Sequence, residues 1–508
     1  MKKRLLVLPV DGRPVVCGQI KYLAALAGWA LSLPPIAMLG YFRKAADRDE
    51  IGQWLMAEAG KVDGFVLSMD TFIYGGLVAS RISTESPDDL LARCGLLKTL
   101  KNEHPDKPIF AFLTTMRISN NNVNEEEKDY WSAYGQFIWR WSYHADRYRA
   151  HGNENDLLAC REAESSIPID IREDYLATRS RNFAIARKVL ELVGTGMIER
   201  LILPQDDTAK YGFNIAETRK MRQDIIDARL CSQVKIYAGA DEVAWTLVAQ
   251  MISRLESRPA RKVYVSWHHP EDADLIIPRY EQQPLGIAVK DQLSAAGASI
   301  VRQREHADLV LGVHTANQPQ GDWALCEPLV QKRPIASHWT TALTEWQALG
   351  VPLAIADLAY ANGGDPELVR CLVRSLHPES LVAYGGWNTA SNSLGTIAAQ
   401  IQLSPLRGAS DAGMELNIIR LVDDAFYQPH YRQVLREQLA GNSCTLAEAC
   451  PQFCDAANEW LTDNQISGAS VRDAFFPWQR SFEIGFELAR ATHDLMEQGT
   501  THGVFGRR

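Results

Sequence analysis

The chain has no CxxC pair, no run of basic residues and no apolar stretch of membrane-spanning length. Its nine cysteines are scattered and odd in number, and the closest set, Cys450-Pro-Gln-Phe-Cys454, lacks a second half. Reduced thiols are therefore expected rather than a zinc site or a disulfide framework. A net charge of -9 without a basic block makes an extended phosphate backbone a poor partner, so nucleic acid is not expected. Met1-Lys2-Lys3-Arg4 opens like a secretion signal, but the apolar run after it stops at Asp11-Gly12-Arg13 and no small-residue cleavage site follows. These features predict a cytoplasmic protein with no membrane partner. HExxH, GxSxG and P-loop motifs are missing, as are a helix-opening GxGxxG, an internal repeat and low-complexity tracts.

What is present is a repeated unit. At 508 residues, 46% hydrophobic and 23% charged, the chain can bury a large core. Short apolar runs end in polar residues, with helical patterns between them. Residues 5–9 deliver Asp11 and Arg13. Residues 64–68 deliver Asp70 and then Tyr74 and a glycine pair, Gly75-Gly76, suited to close approach of backbone to a ligand. Residues 109–113 lead to Arg117, residues 201–205 to Asp206-Asp207, and residues 234–237 to Asp241-Glu242. Residues 263–266 lead to His268-His269, and residues 308–313 to His314. An eighth strand has three candidates: 334–336, 353–356 ending at Asp357, and 381–384 ending at Trp387-Asn388.

Strands alternating with helices imply parallel pairing with right-handed crossovers. The pattern predicts an α/β protein built on a (β/α)8-like barrel, TIM-type or distorted, over residues 1–400, with an open doubly wound sheet as the second choice. A polar and aromatic insertion spans 119–168. Residues 401–508 read as a helical region packed on the barrel, with 475–483 returning to the main domain and 499–508 frayed.

Asp206-Asp207 carries the chemistry most directly. Adjacent acids are costly unless one is neutralised, so their proton affinities should be pushed apart. Such a pair reaches one face of a sugar, which suits hydrolysis of a β-linked 2-acetamido sugar whose own carbonyl is the nucleophile. Asp206 would then orient the acetamide and Asp207 would serve as acid/base. Asp241-Glu242 is the competing pair, against a plain reading as a helix-start cap. Asp11, Arg13, Asp70, Tyr74, Arg117, His314, Asp357, Trp387 and Asn388 are expected to bind substrate: carboxylates and amides hold hydroxyls, and an indole stacks on a pyranose. The expected substrate is a small carbohydrate containing N-acetylgalactosamine or N-acetylglucosamine, with no metal or cofactor. Oligomeric state is open. A metal-dependent hydrolase or lyase on Asp11, Asp70, His268 and His314 is the alternative, followed by a sugar-binding protein without turnover.

Pro9-Val10-Asp11-Gly12-Arg13-Pro14, residues 74–81, Gln205-Asp206-Asp207, Gly239-Ala240-Asp241-Glu242 and Gly386-Trp387-Asn388-Thr389 together resemble the bacterial domain of unknown function 4127 family, over nearly the whole chain. That resemblance implies no reaction. More loosely, the Asp-Asp pair is similar to that of substrate-assisted β-N-acetylhexosaminidases of the O-GlcNAcase type, which implies the same division of roles between Asp206 and Asp207.

Overall fold

In β1 (Arg4–Leu8) every residue after Arg4 is buried, so both faces of this strand are covered, as in a parallel sheet with helices on each side. A computed structural model describes residues 3–406 and 410–490. β1 joins β2 (Ala30–Ser32), β3 (Phe65–Ser68), β4 (Ile109–Phe112), β5 (Arg200–Gln205) and β6 (Val234–Ala238) in a parallel six-stranded sheet ordered β2-β1-β3-β4-β5-β6. Then come β7 (Lys262–Trp267), β8 (Ser299–Val301), β9 (Leu309–His314), β10 (Gly321–Asp322), β11 (Leu353–Asp357), β12 (Tyr360–Ala361) and β13 (Ala383–Gly385). Five of them form a second parallel sheet ordered β13-β11-β9-β7-β8, while β10 and β12 pair apart from it. β14 (Ala469–Phe475) and β15 (Gly485–Arg490) close the described chain as an antiparallel hairpin.

The pleat sorts strand side chains into two cores. On one side of the first sheet, Leu6, Leu67, Ala111 and Leu203 meet Leu55, Val189 and Ile225 from the helices Arg48–Ala59, Ile169–Gly194 and Phe213–Asp227. On the other, Leu5, Val66, Phe110 and Ile202 meet helices Ile20–Leu26 and Val243–Leu255. The helix Ala390–Leu403 is buried along its whole length. It gives Ala399 and Leu403 to that core and Leu394, Ile397 and Ile401 to the core under the second sheet. A helix covered on every side lies between layers, which is where Ala390–Leu403 sits, packed against the largely apolar Val243–Leu255.

The chain is thus an α/β protein with parallel sheets. Apart from the two-stranded pairs β10-β12 and β14-β15, the pairings among the described residues make two sheets, with β2 and β6 at the ends of one and β13 and β8 at the ends of the other; a single closed ring is not among them. Two of the three-residue edge strands, β2 and β8, lack the length that a period-two signal needs. Of the three eighth-strand candidates, 353–357 and 383–385 are strands, and 334–336 forms neither helix nor strand. The hairpin falls in a region expected to be helical; only Val471 of β14 is buried, so its alternation is faint. Residues 499–508 lie outside the described residues. No described helix is long and apolar enough to cross a membrane.

Candidate functional site

Strand order reverses beside β1 in the first sheet and beside β7 in the second, and parallel α/β sheets bind ligands beyond the strand ends at such points. Beyond the first sheet lies an open cavity of about 460 Å³. Arg13 reaches it from β1, Arg81 from the helix Leu77–Ile82 after β3, and Arg117 and Ser119 from β4. Asp206 and Asp207 follow β5, and Asp241 follows β6. The far wall brings Tyr280, Asn362, Asn388, Arg432 and Arg436, and the segment carrying Trp478, Arg480 and Phe482 folds back over it.

The acids and arginines interlock. Arg81, only 1% exposed, donates to Asp206 at 2.7 Å and pairs with Glu126 at 3.2 Å. Ser119 donates its hydroxyl to Asp207 at 2.7 Å, and Arg117 stands 3.3 Å from the same carboxylate. Arg13 grips Asp11 through Nε (2.9 Å) and Asp241 through its terminal nitrogens, and Asn388 donates to Asp241 at 3.0 Å. Arg480 ties Glu483 (2.6 Å) to Glu126 (3.0 Å). Burial, then the charge of Asp207, pushes the Asp206 carboxyl up, against Arg117 and Arg81. Burial likewise raises Asp241, with Arg13 opposing. Burial would raise Glu126 too, but Arg117 and Arg81 hold it well below the usual carboxylate range.

The backbone is strained here. Asp207 (φ 37), Tyr280 (φ 66), Asn362 (φ 60) and Asn388 (φ 61) all sit in the left-handed region and all line the cavity. Non-glycine residues in that region cost free energy and concentrate at functional sites.

Seven of the residues expected at the site are elsewhere, all buried and away from the cavity lining; the first, Asp11, sits behind Arg13. Asp70 accepts from the Thr114 N–H (2.9 Å) and hydroxyl (3.1 Å), and burial raises its carboxyl to about 7. Tyr74 stacks under Arg181. Glu242 turns inward to Gln292 (3.0 Å) and the Ala240 N–H (2.9 Å), and burial raises it to about 8. The Asp241-Glu242 pair is therefore split, with only Asp241 facing the cavity. Neither side chain caps the following helix: the Ala240 and Asp241 N–H groups both donate to Asn392. His314 and Asp357 belong to a closed cluster at the second sheet. Trp387 is core, with Arg420 over its ring, so the indole that meets the cavity is Trp478. Its ring lies 5.0 Å from the Arg13 guanidinium and 4.8 Å from that of Arg480.

Two local patterns mislead: Gly75-Gly76 suits contact with a ligand, and Asn214-Ile215-Ala216-Glu217 has capping-box-like spacing at a helix start. Gly75 (φ 88) lets backbone approach backbone rather than a ligand: its carbonyl accepts from the Ala46 N–H at 2.8 Å, and a Cβ would meet Ala45 and Ala46 at about 3 Å. Asn214 to Glu217 is not a capping box. The helix starts at Gly212 (φ 154), whose N–H goes to Asp146, while the Phe213 N–H goes to Ser142, both from the insertion helix Trp131–His151.

The metal reading loses its ligand set. Asp11 is taken by Arg13 and Asp70 by Thr114, whereas His268 and His314 lie 3.2 Å apart against Asp365 and Thr315. Among the described residues no group of three or more His, Cys, Asp or Glu is placed to hold a metal ion.

Arg432, Arg436, Arg480, Trp478, Tyr280, Asn362 and Glu126 were not foreseen. One signal was available: Asp423-Asp424 is a further Asp-Asp pair, after Asp88-Asp89 and Asp206-Asp207. It lies in the wide helical turn Leu421–Tyr431, where Asp424 accepts from the Gly386 N–H through its carboxylate and from the Gly364 N–H through its carbonyl, both at 2.7 Å. That residue holds the loops bearing Asn388 and Asn362.

A family model described as a protein of unknown function, DUF4127, matches residues 5–487. The chain belongs to this family. The matched span takes in both sheets and the Trp478–Arg480 segment, so every cavity residue named above lies within the DUF4127 region. No curated protein matches the chain. The looser likeness to β-N-acetylhexosaminidases gains no support from these comparisons.

Proposed function

We propose that the cavity is the active site of a retaining glycoside hydrolase that releases β-linked N-acetylgalactosamine or N-acetylglucosamine, with the substrate's acetamide as nucleophile. One observation carries the reading: Asp206 and Asp207, adjacent in sequence, both line one sugar-sized cavity, and burial plus mutual repulsion raises Asp206. Two carboxylates this close repel, so Asp206 keeps a proton to higher pH than an isolated acid. Asp206, held by Arg81, accepts the acetamide N–H and polarises it. The acetamide oxygen bonds to the anomeric carbon as the glycosidic bond breaks, and Asp207 gives its proton to the leaving oxygen. Water then attacks the anomeric carbon, opening the oxazoline, and returns a proton to Asp207. Asn388 and Arg13 offer donors to sugar hydroxyls, and Trp478 offers a ring face. The finer fold reading, a distorted (β/α)8 barrel whose mouth is made by both sets of strand ends, belongs to the same proposal, as does a cytoplasmic location.

The test is a panel of 4-nitrophenyl glycosides. Cleavage of β-linked 2-acetamido sugars, inhibited by a thiazoline mimic, is the expected result. Activity on 2-hydroxy sugars with none on 2-acetamido sugars would reject the assisted mechanism. Sugar binding that survives Asp206→Asn with Asp207→Asn, and no product from wild type, would leave a binding protein.

A further inference from the structure

Six arginines line the cavity, and four of them meet carboxylates: Arg13, Arg81, Arg117 and Arg480. Arg432 and Arg436 meet none among the described residues. Among the described residues Arg432 donates to the Gln428 side chain (3.0 Å) and stacks 4.5 Å from the Phe482 ring centroid, while its Nε is buried without a hydrogen-bond partner. Arg436 donates to the Ala324 carbonyl at 3.0 Å. The acids nearest in charge to Arg432 are already engaged. Glu483 is taken by Arg480, and Asp322 accepts from the Tyr280 hydroxyl (2.6 Å) and the Asn362 amide (3.0 Å).

Two like charges one turn apart on the helix Arg432–Ala440 repel each other, and a buried guanidinium with an idle donor adds a desolvation cost. Burial, and Arg436 after it, pull the Arg432 pKa down, with Tyr427 opposing. An oxyanion in the cavity would relieve both costs, because guanidinium forks match the planar or tetrahedral oxygens of carboxylate and sulfate.

We propose that Arg432 and Arg436 form an oxyanion-binding wall of this cavity, so that its ligand is an acidic saccharide carrying a sulfate or a carboxylate on or beside the amino sugar. The saccharide half rests on the glycosidase reading; the oxyanion half stands on the two arginines alone.

The experiment compares kcat/KM for 4-nitrophenyl N-acetyl-β-hexosaminides with and without a 6-O-sulfate, and for disaccharides joining the amino sugar to a uronic acid or to a neutral hexose. The sulfate and uronic acid arms tell the two oxyanions apart. Wild type should favour one acidic substrate by about tenfold or more, the worth of a charge-assisted hydrogen bond. The preference should fall towards one in Arg432→Gln with Arg436→Gln, return in part with the paired lysine variants, and weaken with added salt. The half-exposed Arg436→Gln alone serves if the double variant fails to fold. Equal rates on acidic and neutral substrates, or a ratio unmoved by these substitutions, would overturn the proposal. If no glycoside is cleaved, the glycosidase reading fails, and calorimetric titration with inorganic sulfate and with glucuronate decides the oxyanion half. Binding lost in the glutamine variants supports it, and absence of binding to wild type refutes it.

Discussion

The two parallel sheets end in similar residues and use them in opposite ways. Beyond the first sheet Arg13, Asp206, Asp207 and Asp241 face an open cavity. Beyond the second, His268, His314 and Asp357 are sealed. The Ala336 N–H donates to His268 Nε2 at 2.9 Å, so that ring carries its proton on Nδ1, towards the Thr315 carbonyl. Burial and the neighbouring His314 push the His268 pKa down to about 4. His314 lies 3.2 Å from Asp365. Asp357 accepts from the Asp365 N–H (2.7 Å) and the Tyr384 hydroxyl (3.0 Å). Lys332 and residues 334–336 close over this group. A polar strand end therefore marks the carboxyl edge of a parallel sheet, not a binding site. What separates the two edges is the covering chain: a loop seals the second, while over the first the returning segment supplies Trp478 and Arg480 to an open wall.

The contrast can be broken by substitution. Asp207→Ala should lower hydrolysis of glycosides with poor leaving groups by about 10²–10⁴, the usual worth of a general acid, and spare activated aryl glycosides more. Leaving-group dependence of kcat/KM checks it, and a uniform loss would contradict the role. Arg81→Met leaves Asp206 without the guanidinium that hydrogen-bonds it, so it should cost on the order of 3 kcal/mol in denaturant unfolding as well as activity. Loss of activity alone would show that the first-sheet network is not structural.

At the second sheet the expected signature is stability with pH. Burial raises Asp357 from 3.8 to about 7, so the folded chain keeps a proton that the unfolded chain releases. Its contribution to stability therefore falls as pH rises between about 4 and 7. Asp357→Asn should flatten the Tm profile across that window relative to wild type and leave glycoside hydrolysis in place. A parallel profile would show that this carboxyl is ionised when folded. Trp478→Ala is the mildest test. Losing one ring beside two guanidiniums is worth about 1 kcal/mol, so a few-fold rise in KM with kcat near wild type is expected.

Much of the fold was legible because buried parallel strands are short apolar runs. The strands β5 and β6 were legible in the apolar runs 201–205 and 234–237. The strands β2, β8 and β14 were not, being too short or too polar to show a period. At the site, Arg13, Arg117, Asp206, Asp207, Asp241 and Asn388 were reachable from strand ends and line the cavity. Arg432, Arg436, Trp478 and Arg480 were not, because nothing local distinguishes them from ordinary surface arginines or core aromatics.

By itself the sequence determined the α/β class, the parallel pairing and the residues at each strand's carboxyl end, since these follow from local hydrophobic period and chain polarity. Only the tertiary structure decided which strand ends stay open, which of Asp241 and Glu242 turns outward, and which arginines meet no acid among the described residues. Each of those depends on what a distant stretch of chain lays over the edge, and burial by distant chain leaves no periodic mark in the sequence.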